Sequence, residues 1–205
     1  MDVLGLWLER TEGARFWSSI LAELKHRGVE DILVLCADGL SGLPEAVEAN
    51  FPRTIFQTCI VHLIRSSTRY VSYKDLKAVC ADLRTVYTAA NADEAVRALG
   101  QVEEKWGARY AHVTRAWRTR MDEWTPFLAF PVELRRAIYT TNTIEALNRI
   151  LRKALKTRGP LPTDEAALKL LYLAVRNAKA TWGRAHRDWM TARMQLAIHF
   201  EGRLG

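Results

Sequence analysis

Along the first 62 residues, short apolar runs alternate with helically spaced apolar positions. Asp2-Val-Leu-Gly-Leu-Trp-Leu8 predicts a short strand. From Ala14 to Arg27, Phe16, Ile20 and Leu24 share one helical face with Trp17 and Leu21 beside them, and Gly28 supplies the stop. Ile32 to Ala37 is continuously apolar, the pattern of a strand buried on both faces, and it ends at Asp38-Gly39. A short helix near Pro44–Asn50 leads to a second strand-like run, Thr54 to Val61. Strand, helix, strand, helix, strand implies an α/β layer with parallel strands.

Beyond Ser66 the pattern turns helical. Residues 72–130 carry helical spacing, four of the seven tryptophans lie between Trp106 and Trp182, and Pro126 and Pro131 interrupt the texture before Thr140. Two strong helices follow, Thr143–Thr157 and Asp164–Ala178, separated by Arg158-Gly-Pro-Leu-Pro. The division this suggests is 1–65, a helical insertion at 66–139, and 140–205.

Composition narrows the setting. Hydrophobic residues make up 49% and charged residues 26% of the 205, which fits a globular chain rather than a disordered one. The longest apolar run is too short to span a membrane, and the opening Met-Asp-Val has no leader pattern. Cys36, Cys59 and Cys80 are an odd count without close pairing, so a reducing, cytoplasmic setting is expected. The net charge of +7 favours an anionic partner. It is concentrated late: Arg149, Arg152, Lys153, Lys156 and Arg158 run without an acidic residue among them, and Arg176, Lys179, Arg184, Arg187 and Arg193 form a second cluster. Either could equally be a solvated helix face.

Three places could carry chemistry. Asp38 stands at the carboxyl end of a buried strand, where open α/β sheets place ligands and where a carboxylate can hold a hard cation; it could also simply cap the next turn. On the helix after Asn142, the residues Glu145, Asn148, Arg149, Arg152 and Lys156 gather opposite Ile144, Leu147, Ile150, Leu151, Ala154 and Leu155. One carboxylate at the head of a basic stripe suits a metal ligand beside a phosphate-gripping surface. Asn142-Thr-Ile-Glu145 equally fits a capping box. Cys59-Ile-Val-His62 is half of a zinc site with no second half at convincing spacing.

Read together and in order, these strings resemble the bacterial Mutator-type insertion-sequence transposases. The resemblance rests on Val34-Leu-Cys-Ala-Asp38-Gly39-Leu, Gln57-Thr-Cys59-Ile-Val-His62-Leu-Ile-Arg65, Tyr70-Val-Ser-Tyr-Lys-Asp75, Tyr139-Thr-Thr-Asn142-Thr-Ile-Glu145-Ala-Leu-Asn148-Arg149 and Asp164-Glu-Ala-Ala-Leu-Lys-Leu-Leu-Tyr-Leu173. It implies an α/β, RNase H-like core of the DDE class interrupted by an all-helical insertion. Asp38 then matches the second catalytic and metal-binding Asp and Glu145 the catalytic Glu. Cys59, His62 and Asn142 would support the active site. Arg152 matches the basic residue after the Glu, and Arg149, Arg152, Lys153, Lys156 and Arg158 would bind DNA. Trp106 or Trp117 would meet DNA in the insertion. The cofactor implied is Mg2+ or Mn2+. Water would cut the transposon ends and the freed 3′-hydroxyl would attack target DNA. The partners implied are transposon ends, target DNA and further copies of the chain, on nucleoid DNA and not at a membrane.

The first catalytic Asp of that pattern belongs to a strand preceding the segment that matches Val3-Leu-Gly-Leu-Trp7, and Asp2 does not align with it. The core is therefore expected to be incomplete, its first strands missing, and the chain inactive alone. The alternatives are a catalytically dead remnant that binds DNA non-specifically or dimerises with an intact transposase, or a start codon assigned too far downstream.

Overall fold

The computed structural model describes residues 2–9, 11, 13–139, 142–181 and 187–204. Helix α1 (Ala14–His26) buries Ile20, Leu21 and Leu24, the face its apolar spacing defines. Strand β1 (Val34–Ala37), helix α2 (Leu43–Asn50) and strand β2 (Ile55–Thr58) follow. The strands pair in parallel, Val34 opposite Ile55 and Ala37 opposite Thr58, and α2 makes the crossover that a parallel pair requires. Side chains alternate across the sheet: Leu35, Ala37 and Phe56 join a core with α1 and α2, whereas Val34 and Ile55 face a larger helical core. A β-carbon at Gly42 (φ +77°) would collide with the Ala14 backbone, so glycine lets α1 and α2 begin side by side.

Two strand expectations are corrected. Residues 2–8 form no strand. Among the described residues the sheet consists of β1 and β2, and an extended segment without a pairing edge has no ladder to join. Trp7 instead packs against the α1–α2 core and donates its indole N–H to Glu23 at 2.8 Å. The run Thr54–Val61 is strand only to Thr58. Cys59 donates its N–H to the Ala37 carbonyl at 2.6 Å, then caps helix α3 (Ile60–Ser67), whose Ile60 and Leu63 are buried. Short apolar runs are ambiguous between strand and helix, and here tertiary burial decides.

The helical stretch comprises α4 (Tyr73–Tyr87), α5 (Ala92–Thr119), α6 (Met121–Trp124), a 3-10 turn (Pro126–Ala129) and α7 (Val132–Tyr139). Asn91 caps α5 by accepting the Glu94 N–H at 2.9 Å, while the Glu94 carboxylate accepts the Ala90 N–H at 3.2 Å. The helix breaks at Tyr110 (φ −134°, ψ 48°). Trp117, Trp124 and Phe127 are fully buried at the centre of the larger core. The Trp117 indole N–H reaches Ser67 at 3.1 Å, and that of Trp124 reaches the Trp117 carbonyl at 2.7 Å.

Helices α8 (Asn142–Arg158) and α9 (Asp164–Thr181) pack on each other, and α10 (Arg187–His199) packs on α7. Arg203 then forks onto Asp31 with two bonds of 2.7 Å, tying the end of the described chain to the residues just before β1. That pairing holds the Asp31 carboxyl below the ordinary carboxylate range. No described helix is long and apolar enough to cross a membrane.

Candidate active site

Asp38 follows β1 directly and is exposed, so its carboxylate sits at the carboxyl end of a parallel strand, where ligands of open α/β sheets bind. Gly39, at φ +78°, takes the chain away from the sheet. A β-carbon there would stand 2.6 Å from Arg120 Nη1, so the Arg120 guanidinium lies over the Asp38–Gly39 turn. Nothing in the local sequence marks Arg120, because α5 brings it there from 81 residues downstream of Gly39.

A cavity of about 340 Å³ adjoins this turn. Asp38, Cys36, Cys59 and His62 line it from the β1–β2–α3 side, Trp17 from α1, and Asn148 from α8. The structure thus brings Asp38, Cys59 and His62 together, as the sequence suggests, and adds Cys36, Trp17 and Asn148. Trp17 and His62 both line the cavity, and Trp17 Nε1 and His62 Nδ1 are buried without a protein hydrogen-bond partner.

Cys59 is buried, and the Cys36 thiol beside it acts as its hydrogen-bond donor. That donor, with the backbone N–H and imidazole of His62, outweighs burial and brings the Cys59 thiol down to about 5. Cys36 is pushed up, first by that same bond, then by burial and the neighbouring Asp38 charge. Both sulfurs are committed to each other, and among the described residues no three His, Cys, Asp or Glu side chains converge as a metal site.

Glu145 and Asn142 belong to α8, but their side chains lie outside the described residues. The stripe beyond them is open: Asn148, Arg149, Arg152, Lys153, Lys156 and Arg158 are exposed, while Leu147, Leu151, Ala154 and Leu155 are half-buried. Ile150 departs from the projected apolar face and is 38% exposed. Lys153 and Arg158 edge the groove between α8 and α9. Asp2 pairs with Lys179 on α9, remote in sequence from the Asp38 turn. The tryptophans expected at DNA are otherwise engaged. Trp117 is a core residue, and Trp106 is half-buried with its indole N–H on Asp82 at 2.7 Å.

An exposed carboxylate at a strand end, with a guanidinium over the adjoining turn, thus stands at the rim of a largely apolar cavity that Asn148 of α8 also lines. The sequence matches the family described as "Transposase, Mutator family" over residues 1–185, and the chain belongs to that family. It is 52% identical over 200 residues to the transposase for insertion sequence element ISRM3 of Rhizobium meliloti (strain 1021), covering 97% of this chain and 50% of the relative. It is also 52% identical over 176 residues to a probable transposase for an insertion sequence element of Corynebacterium diphtheriae, covering 85% and 51%. The transposase for IS1201 of Lactobacillus helveticus is 28% identical over 165 residues, covering 80% and 45%. The chain thus spans about half the length of these relatives.

Proposed function

We propose that this chain carries part of the catalytic centre of a DNA transposase, which cuts the ends of an insertion sequence and joins them to target DNA. The observation that carries the reading is the shared cavity. Asp38, at the end of β1, and Asn148, on α8, line it together. Glu145 lies three residues before Asn148, a spacing that puts two residues on one helix face. Residues 1–65 and 140–205 would then form one RNase H-like core of the DDE class, with 66–139 inserted. The Asp31–Arg203 fork supports that grouping.

In this reading Asp38 and Glu145 hold magnesium or manganese. The donors suit such an ion: the Asp38 carboxylate and the Asn148 amide offer oxygen, whereas the softer sulfurs of Cys36 and Cys59 are engaged with each other. When bound, the ion would polarise the attacking oxygen and neutralise charge on the phosphate. The chain's own residues do the rest. Arg120 adds positive charge beside the scissile phosphate, His62 and Trp17 line the cavity, and Cys59 with Cys36 braces the end of β1 against α3. Arg149, Arg152, Lys153, Lys156 and Arg158 grip the DNA backbone, which fixes the register of the cut without reading bases. Assembly of several copies on nucleoid DNA completes the proposal.

The test is DNA binding by fluorescence anisotropy across a salt series. Replacing Arg149, Arg152 and Lys156 together by alanine is expected to weaken binding and to flatten the log–log salt slope by about 3, close to one for each phosphate no longer neutralised. Binding and slope both left unchanged would show that the stripe does not hold DNA.

A further inference from the structure

Tyr73 is 95% exposed and Tyr70 74%, the two most exposed large apolar side chains among the described residues. They sit three residues apart where α3 ends and α4 begins, and neither ring is needed by a core. Basic side chains flank them. The Arg69 guanidinium lies over the Tyr70 ring at 5.5 Å, Lys74 follows Tyr73 and is exposed, and His112 meets Tyr70 edge-on at 6.2 Å. Arg109 neutralises the nearest acid, Asp75, at 3.0 Å.

The platform is held rigidly. The Tyr110 hydroxyl donates to Asp75 at 2.6 Å and lies 2.9 Å from the Ser72 hydroxyl, pinning the break in α5 to the first turn of α4. This pin keeps His112 beside Tyr70. Exposed aromatic rings on an ordered, cation-rimmed surface are what unpaired bases stack on, with their phosphates met by the cations. A paired base keeps both faces inside its own stack and offers such rings nothing.

We propose that Tyr70 and Tyr73 form a stacking site for unpaired DNA bases, with Arg69 and Lys74 on the phosphates. The proposal rests on the DNA reading above and adds its substrate form. The site lies at the far end of α3 from His62. Eight helical residues span about 12 Å.

The experiment measures binding of the full chain to one labelled oligodeoxynucleotide, single-stranded and as its duplex. Tyr70→Ala and Tyr73→Ala should each weaken single-strand binding about tenfold and leave duplex binding unchanged, while Tyr73→Phe, which keeps the ring, should bind as the wild type does. Surface positions this open should tolerate the changes, and unchanged thermal melting would confirm it. Single-strand binding indifferent to both alanine variants would overturn this proposal and leave the transposase reading standing. Failure to bind either DNA form would overturn both. Loss of a concentration-dependent dimer in Tyr73→Ala, with single-strand binding intact, would mean that the rings meet a second copy and would likewise overturn it.

Discussion

Gln57 is the residue on which the position of the Arg120 loop should depend most directly. Its side chain is 1% exposed and bridges β2 to the helices that cross the sheet end. The Nε2 group donates to the Thr58 carbonyl at 2.8 Å and to the Trp124 carbonyl at 3.1 Å, and Oε1 accepts the Phe127 N–H at 3.1 Å. Gln57→Met keeps the volume and removes all three bonds. Phe127 N–H and the Trp124 carbonyl are then buried with a partner missing, at about 1–3 kcal/mol each, so a total loss of about 3 kcal/mol is expected. With a urea m-value of about 2 kcal/mol/M, the midpoint should fall by about 1.5 M. The control is Glu103→Gln, which breaks an Arg118 pair whose side chains are 43% and 45% exposed, and should cost under about 1 kcal/mol. Urea unfolding followed by tryptophan fluorescence reads both, since Trp124 lies at the site of damage. A Gln57→Met midpoint as close to wild type as that of the control would refute the idea that this side chain fastens α6 and the 3-10 turn to the sheet.

Two further predictions concern pH. Thiolate absorbance near 240 nm should report one cysteine ionising at about pH 5, and Cys36→Ala should move that step up toward an ordinary thiol by removing the donor. The linked stability rises with pH above about 5, where the folded Cys59 has lost its proton and the unfolded thiol has not. It declines above the ordinary thiol range, near 8.5, where the unfolded chain releases the Cys36 proton that the fold retains; denaturation midpoints across that range test the sign. Asp31 behaves as a depressed carboxylate. The stability it contributes is present above about pH 4 and lost as the pH falls through its lower folded value, so Arg203→Gln should lower the melting temperature at pH 7 and flatten the acid decline.

What could be read from the sequence was what local pattern encodes. Helix α1 runs from Ala14 because its apolar face repeats at helical spacing, and Gly28, at φ +95°, follows its end. Helices α8 and α9 match their projections to within a few residues, with Gly159 at φ +71° between them. Asp38 lies at the strand end that the apolar run Ile32–Ala37 marks. Partners at long range were hidden. Nothing in residues 2–8 says whether a neighbouring strand exists, and Ile60 and Val61 look extended until Cys59 caps a helix. Cys36 looks like an inert strand residue because the thiol it meets is 23 positions away. Arg120 comes to the Asp38–Gly39 turn from the end of a helix 81 residues away, which its own stretch of sequence does not disclose. Exposure was equally illegible: Trp117 and Tyr73 are both aromatic residues in helical stretches, yet one is buried completely and the other almost fully open.

The transposase reading depends above all on Asp38 and Glu145 holding one metal site. Manganese binding to the full chain, followed by electron paramagnetic resonance, measures this without requiring DNA cleavage. Saturable binding that Asp38→Asn and Glu145→Gln each abolish, with the fold intact by circular dichroism, is the predicted result. Manganese binding that survives both substitutions unchanged would contradict it.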